Sequence, residues 1–311
     1  MARQNRDPNR QPGTVAQQVG DLYASFIDEA KAESLGYLPV KGHLDRIAAV
    51  KTIPEFAQLA GELSNIGVGG ISSEFVEPDA KDPATTIVTF NQSGISLPER
   101  EYYLSKDPKY VEIRAKYVDC LAKFFTMIGR PNAAADAKTV LSLETDMATI
   151  RWTPDQSRDA IKTYNKMALA DLNRSFAGFD WMTWAKTQNY DKVPNVIVAQ
   201  PSYFKGIGAL FAKRPLEDWK AWLSAKVVVS EARLLSKPFV DTNFDFFAKT
   251  LFGQKEQRPR WKRGVALVNG SVGEAVGKLY VDKHFPADSK ARMQKMVANL
   301  LDAYKRRGDR P

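Results

Sequence analysis

Residues 258–285 carry two stripes of side chains at helical spacing. The first stripe is apolar and recurs at the i, i+3, i+4 and i+7 positions of an amphipathic helix: Trp261, Val265, Val268, Val272, Val276 and Leu279. The second stripe lies roughly opposite and is made of small residues: Ala266, Gly270, Gly273 and Gly277. Because glycine costs about 1 kcal/mol relative to alanine inside a helix, we expect a second backbone to approach there. The pattern predicts a central helix covered on two sides; the alternative is an ordinary surface helix with accidental glycines.

The remainder of the chain is also dominated by helical periodicity. Further helices are predicted over 15–35, 44–50, 54–63, 110–128, 133–152, 216–235, 239–253 and 287–304. Within the last of these, five apolar residues are expected to face inward: Met293, Met296, Val297, Leu300 and Leu301. Between Ile71 and Gln92 the period changes, and β-branched residues flank a polar turn, which indicates a β-hairpin. The predicted fold class is therefore mainly α, a large multi-helix lobe with one small β-hairpin near residues 71–92.

Composition narrows the class of protein. The chain has 311 residues with 44% apolar content, enough for one large domain or two small ones. It contains no run of about 18 apolar residues, so no membrane-spanning segment is predicted. Residues 1–13 are polar with two prolines, which predicts a disordered leader rather than a signal peptide, and residues 14–311 are predicted to form the helical lobe. Cys120 is the single cysteine, which excludes an intrachain disulfide.

The basic charge does not indicate nucleic-acid binding. The net charge of +9 is accounted for by residues 1–12, 255–263 and 305–311, so the body of the chain is balanced. Basic ends are usually solvated, and no basic stripe with interleaved aromatic residues runs through the body. We therefore predict no nucleic-acid partner.

Several motifs occur in order along the chain. They are GISLPEREYYLS at 94–105, LSLETDMA at 141–148, SRDAIKTYNKM at 157–167, VIVAQPSYF at 196–204 and RPRWKRGVALVNGSVGEAVGKLYVDKHFP at 258–286. Within the third, Arg158, Asp159, Lys162 and Asn165 are interpreted as a hydrogen-bond network that fixes a loop, with a binding cluster as the alternative. Taken together, the motifs resemble those of the neprilysin-like zinc endopeptidases, the family of neprilysin, endothelin-converting enzyme and bacterial oligopeptidase O. The resemblance covers roughly residues 15–305.

The resemblance implies zinc-dependent peptide hydrolysis, which requires a His-Glu-x-x-His helix and a further glutamate. This chain has only His43 and His284, and neither lies in that motif. Glu99 and Glu101 fill the acidic positions of the family's proline-containing motif, and Gly67–Gly70 lacks the lysine of a phosphate-binding loop. We therefore predict no catalytic, cofactor-binding or metal-binding residues in this chain, with zinc implied only for the full-length family enzyme.

The hypothesis from sequence is an N-terminal, substrate-chamber lobe of a bacterial-type zinc metalloendopeptidase, truncated or split and inactive alone. Its expected partners are the missing C-terminal catalytic lobe and, in the full-length enzyme, peptide substrates. The alternatives are a stand-alone helical protein that binds peptides or a partner, and an all-α enzyme with an unrecognised site. The natural substrate, the oligomeric state and the compartment stay open at this point.

Overall fold

The computed structural model describes residues 11–308, which form two compact units. The smaller unit combines residues 11–31 with residues 256–308, and the larger one comprises residues 32–255. The predicted leader lies outside the described residues for its first ten positions, so it stays a prediction. In residues 11–308, no helix combines the length and the apolar character that crossing a bilayer demands.

Helices dominate both units, as predicted. Their bounds are α1 Val15–Ile27, α2 Glu29–Leu35, α3 Leu38–Ala49, α4 Ile53–Ser64, α5 Glu101–Leu104, α6 Pro108–Met127, α7 Ala133–Ile150, α8 Pro154–Ser157, α9 Leu172–Ser175, α10 Trp181–Thr187, α11 Pro201–Lys213, α12 Leu216–Glu231, α13 Lys237–Asn243, α14 Arg260–His284 and α15 Ala287–Gly308. Short 3₁₀ turns cover Leu169–Asp171 and Ala232–Leu234, and a π-helical segment, Phe244–Thr250, follows α13.

The predicted hairpin is present and belongs to a small sheet. Strands β1 (Ser72–Asp79) and β2 (Asp82–Gln92) pair antiparallel, so the turn is shorter than the polar stretch suggested. Two short strands, β3 (Lys166–Ala168) and β4 (Asn195–Val198), extend the sheet in the order β1-β2-β4-β3. β4 runs parallel to β2 and pairs only with Val88–Phe90.

The larger unit is built around stacked aromatic rings. Phe211 of α11 stacks on Trp219 of α12 with 3.6 Å between ring centroids, and Phe56 of α4 meets both rings edge-on. Aromatic pairs of this kind contribute beyond their buried area. Helix α7 lies among these elements and buries Val140, Leu143 and Met147 completely. The core of this unit is therefore formed by α4, α7, α11 and α12, with the sheet against one side through Phe90 and Trp184.

The smaller unit packs α14 against α1. Gly264 of α14 sits under Tyr23 and Phe26, where an added methyl group would lie 3.0 Å from each ring. Val268 is fully buried against Val19 and Tyr23. The apolar stripe predicted on α14 therefore packs against α1. Its half-buried members contribute to this contact as well: Val265, Val276 and Leu279.

The prediction that α14 is covered on two sides is wrong. A methyl group at Gly270, Gly273 or Gly277 would meet no neighbouring atom within 4 Å. Trp261, placed on the packed stripe, is 56% exposed. The glycines weaken the helix instead, since the backbone at Val272 leaves helical geometry with φ −135° and ψ 41° between Gly270 and Gly273.

The inward-facing prediction for α15 is also wrong. The five residues Met293, Met296, Val297, Leu300 and Leu301 are exposed, and no residue of α15 is buried. The helical spacing was read correctly, because α15 spans Ala287–Gly308. The pattern predicts that a face is apolar, and among the described residues nothing covers that face.

Two smaller corrections concern the N-terminal helices. The helix predicted over 15–35 is interrupted at Asp28, whose side chain accepts a hydrogen bond from the N–H of Lys31 at the start of α2. The helix predicted over 44–50 begins earlier, at Leu38, with Pro39 in its first turn, where the missing N–H costs nothing. His43 therefore lies inside α3.

The closest backbone approach in the larger unit supplies a first prediction. A Cβ at Gly208 in α11 would lie 1.8 Å from the carbonyl oxygen of Ala177, and Gly178 beside it has φ +109°. Gly208→Ala is expected to lower the free energy of unfolding by about 2–4 kcal/mol, since the clash outweighs the gain in helix propensity. Urea denaturation measures this.

The matched control is Gly42→Ala in α3, where an added methyl group meets nothing within 4 Å. There the same substitution should stabilise by about 0.5–1 kcal/mol. If Gly208→Ala were neutral or stabilising, the close approach of α11 to residues 177–178 would be refuted.

Candidate functional site

A buried carboxylate on α7 joins four parts of the larger unit. Glu144 is completely buried, and its oxygens accept hydrogen bonds from Ser96 Oγ at 2.6 Å, Tyr103 Oη at 2.7 Å and Tyr117 Oη at 3.0 Å. The Nζ of Lys226 on α12 lies 3.8 Å away. We call this group of five residues the Glu144 cluster. A buried charge is tolerated when it is paired and hydrogen-bonded, and here both conditions hold.

Burial shifts the pKa values of three members of this cluster, Tyr103, Tyr117 and Lys226. It raises the pKa of the Tyr103 and Tyr117 hydroxyls well above the ordinary value, and the nearby Glu144 charge adds to the effect. The same burial lowers the pKa of Lys226, while Glu144 opposes the shift. The two tyrosines therefore stay neutral donors at physiological pH.

Three of the sequence motifs converge on residues 93–97, which lie in the loop between β2 and α5. The Tyr103 hydroxyl accepts hydrogen bonds from the N–H groups of Ser96 at 3.0 Å and Leu97 at 2.8 Å. The Tyr203 hydroxyl lies 2.7 Å from the carbonyl oxygens of both Ile71 and Ser93. The residues singled out in the resemblance thus satisfy the backbone of an irregular segment, which is a structural role. Glu99 and Glu101, the acidic motif positions, are exposed and lie outside the Glu144 cluster.

The loop interpretation of residues 158–165 is confirmed. Asp159 accepts hydrogen bonds from the N–H groups of Ile161 and Lys162, both at 3.1 Å, and Asn165 donates to the carbonyl oxygen of Lys162 at 2.7 Å. Arg158 pairs with Asp155 at 2.9 Å on the surface. Each polar side chain is engaged locally, as the loop interpretation expects.

The sheet carries two carboxylates that the sequence did not single out. Asp79, buried at the end of β1, accepts from Lys166 Nζ at 2.7 Å, Tyr164 Oη at 2.8 Å and the N–H of Lys81 at 3.0 Å. These donors, Lys166 first, lower its pKa to about 2. Glu74 shows the opposite behaviour: burial raises its pKa to about 7, and its Oε1 has no hydrogen-bond partner.

A cleft of about 450 Å³ lies beside the hairpin, on the side of β2 where β4 begins. Its walls include Val76 and Val88 from the hairpin and Tyr190, Val193 and Pro194 from the segment that leads into β4. Lys166, held by Asp79, and Asp82 supply charge at the rim. The cleft is apolar with a few polar groups, as binding pockets are.

The described residues do not form a metal site. Within 11–308, no group of three or more histidine, cysteine, aspartate or glutamate side chains is arranged to hold a metal ion. His43 lies in α3, with a buried Nδ1 that has no hydrogen-bond partner, and His284 ends α14 with its ring 5.1 Å from that of Tyr280. Cys120 is buried, which raises the pKa of its thiol to about 12.

In the smaller unit, α15 presents an apolar face to solvent. Its six large apolar residues are each at least 47% exposed: Met293, Met296, Val297, Leu300, Leu301 and Tyr304. They recur at i, i+3, i+4 and i+7, so they form one continuous stripe along the helix. Exposed apolar surface of this extent marks an interaction surface in soluble proteins.

Comparison with known proteins gives these features a family. A model of the N-terminal region of peptidase family M13 matches residues 1–308. This chain belongs to peptidase family M13. Mouse neprilysin is 25% identical over 96% of this chain, and mouse endothelin-converting enzyme-like 1 is 25% identical over 94% of it.

Solved structures of the M13 relatives share the fold. The zinc metalloprotease Zmp1 of Mycobacterium tuberculosis in its open state is 37% identical over 97% of this chain, with a TM-score of 0.88. PepO from Lactobacillus rhamnosis, at 19% identity and a TM-score of 0.75, shows the same fold. The chain spans 44% of mouse neprilysin and 47% of the Zmp1 chain. The resemblance inferred from the motifs is therefore confirmed, and the match covers less than half of each of these two relatives.

Zinc, which the M13 family implies, does not fit the residues described here. The donor set it needs is absent from residues 11–308, and the fully buried carboxylate of Glu144 is already saturated by hydroxyl donors. The arrangement can hold a loop and a sheet in place, but it offers no exposed acid–base pair for hydrolysis.

The Glu144 cluster supplies a second prediction. Glu144→Ala leaves two buried tyrosine hydroxyls and Lys226 without their shared acceptor, so it should lower the free energy of unfolding by about 3–5 kcal/mol. Urea denaturation followed by near-ultraviolet circular dichroism measures this. Glu112→Ala, which removes an exposed carboxylate paired with Lys116, is the matched control and should leave the midpoint unchanged. Equal midpoints for both variants would contradict a structural role for the cluster.

Glu74 supplies a third prediction, on pH dependence. Its folded-state pKa of about 7 lies above the ordinary 4.5, so the folded protein binds more protons between these values and its stability falls as pH rises through them. Glu74→Gln removes this loss and should be about 2 kcal/mol more stable than the parent at pH 8, with little difference at pH 4.5.

Urea denaturation at both pH values tests the expectation. Glu77→Gln, at an exposed position of the same strand, is the control and should show no such gain at pH 8. A Glu74→Gln difference that is the same at both pH values would refute the burial of an ionisable Glu74.

Proposed function

We propose that this chain is the non-catalytic, substrate-chamber lobe of an M13 zinc metallopeptidase that acts on peptides. Residues 14–311 form the lobe, and the zinc ion and catalytic groups are carried by a polypeptide region equivalent to the part of the relatives beyond the match. Three findings support this: membership in the family, the similarity to Zmp1, which is a zinc metalloprotease, and the absence of a metal-binding group among residues 11–308.

The observation that carries the proposal is the exposed apolar stripe of α15. A helix with six large apolar residues in water gains little stability from its own side chains, since helical stability in proteins comes mainly from tertiary packing of such a face. The stripe is therefore assigned as the docking surface for the zinc-bearing region. Because these side chains are about half exposed, burying the remainder provides roughly 1 kcal/mol each before the cost of association.

Enclosure explains why a lobe without catalytic groups is useful. A chamber formed by two lobes admits peptides and excludes folded proteins by size. It also removes water from the scissile bond and strengthens the electrostatic interactions that act on it. The rigid aromatic core of the larger unit suits a wall of such a chamber.

The fourth prediction tests both parts of the proposal. The purified chain should contain no stoichiometric zinc and should not cleave a quenched fluorescent peptide. When the zinc-bearing remainder of the M. tuberculosis Zmp1 relative is supplied separately, the chain should bind it, and Leu300→Lys should weaken that binding at least tenfold, because a charge would enter an apolar contact. Zinc analysis, peptide hydrolysis and analytical ultracentrifugation measure these outcomes.

Asn299→Lys, which adds the same charge on the opposite face of α15, is the matched control and should bind as the parent does. Stoichiometric zinc with chelator-sensitive turnover by the chain alone would overturn the non-catalytic assignment. Self-association through the α15 face that Leu300→Lys abolishes, with no binding of the zinc-bearing region, would favour the stand-alone binding protein instead.

A further inference from the structure

The cleft beside the hairpin coincides with an unpaired stretch of strand edge. β2 spans Asp82–Gln92, but its parallel partner β4 reaches only Val88–Phe90. Asp82, Thr86 and Ile87 of β2 therefore have β1 on one side and, among residues 11–308, no strand on the other, while residues 83–85 lie at a register shift. The cleft is lined by Thr85, Thr86 and Ile87 from this stretch, so it occupies the place that a longer β4 would fill.

The backbone of Thr86 faces the open edge. The carbonyl oxygen of Phe90 accepts a hydrogen bond from the N–H of Ala199, the residue after β4, so the backbone groups of Phe90 point toward β4. Backbone groups along a strand alternate between its two edges, so Val88 and Thr86 point the same way. Thr86 is opposite Pro78 of β1, which has no N–H to share. The alternation therefore directs the N–H and the C=O of Thr86 to the edge where an added strand would pair.

The residues that line the cleft determine which ligands it can bind. Val76 and Val88 line the hairpin side, and Tyr190, Val193 and Pro194 line the opposite side. Pro194, directly before β4, cannot donate to the ladder itself. Lys166, whose ammonium has three N–H donors and uses one on Asp79, and Asp82 are both among the residues that line the cleft. An acceptor and a donor on the rim complement the two termini or the polar backbone of a peptide.

We propose that this cleft binds a short peptide in extended conformation by β-strand addition to Thr86, with an apolar side chain between Val88 and Val193. Main-chain hydrogen bonds supply affinity in this binding mode and the apolar walls supply preference for side chains. The assignment of that peptide as one handled by the peptidase rests on the proposed function. The binding itself does not, since it requires only residues of the larger unit.

The fifth prediction uses this chain alone and a fluorescein-labelled Val-Thr-Val-Thr-Val amide as the probe. Fluorescence anisotropy should show saturable binding. Thr86→Pro removes the edge N–H without removing a bond to β1 and should weaken binding about tenfold, the effect of losing one buried hydrogen bond together with its geometry. Glu77→Gln, at an exposed position of β1 that does not line the cleft, is the control and should leave binding unchanged.

Two further arms keep the test decisive if Thr86→Pro does not fold, as judged by near-ultraviolet circular dichroism. Val193→Trp fills the cleft and should abolish binding, and a probe N-methylated at its central valine should bind at least tenfold more weakly. Equal binding by the parent and Val193→Trp, or no binding by the parent, overturns the proposal. Light scattering that shows the edge of β2 pairing with a second copy of this chain, in place of the peptide, also overturns the proposal.

These outcomes separate the proposal from the function above. A chain that binds the probe but not the zinc-bearing region of Zmp1 supports the cleft and contradicts the chamber-lobe assignment. A chain that binds the zinc-bearing region but not the probe supports the chamber-lobe assignment and contradicts the cleft proposal.

Discussion

The fold of the larger unit depends on how the buried carboxylate of Glu144 is stabilised in the absence of water. Glu144 has no contact with solvent, so its negative charge is stabilised only by the hydroxyls of Ser96, Tyr103 and Tyr117 and by the Lys226 ammonium nearby. Each donor comes from a different segment, and none can move without leaving a buried polar group unsatisfied. The interaction therefore fixes the positions of α6, α7 and α12 relative to the loop after β2.

That loop in turn positions the sheet. Residues 93–97 are irregular, and side chains satisfy part of their backbone in place of strand pairing. These side chains are Tyr103, Tyr203, Arg151 and Trp222. Gly94 lies here with φ +100°, a conformation that other residues rarely adopt, and Met147 Sδ would lie 3.0 Å from an added methyl group. The start of this loop is the end of β2, so the hairpin and its cleft are attached to the core through the Glu144 cluster.

The secondary structure was predictable because its signals come from residues close together in the sequence. The side-chain clusters were not predictable, because their members are far apart in the sequence. The 3.6-residue period identified α6 and α7 to within two residues at each end, and the change of period identified β1 and β2. By contrast, Tyr103 and Glu144 are 41 positions apart, and Asp79 and Lys166 are 87 apart. No spacing rule joins such pairs. The motifs marked Tyr103, Glu144 and Tyr203 only through their resemblance to a family, and Asp79, Glu74 and Thr86 carried no signal at all.

The errors on α14 and α15 concern different faces: on α14 the apolar stripe packs against α1 and the glycine face is uncovered, whereas on α15 the apolar face itself is exposed. Periodicity reports that one face of a helix is apolar, but not which surface covers it. On α12, Trp219, Trp222 and Val227 are buried by the rest of the larger unit, whereas on α15 the equally regular series from Met293 to Tyr304 is exposed. In α15, no surface among the described residues covers the apolar face. Both proposals made for this chain, docking through α15 and peptide binding at the edge of β2, therefore rest on surfaces that residues 11–308 leave uncovered.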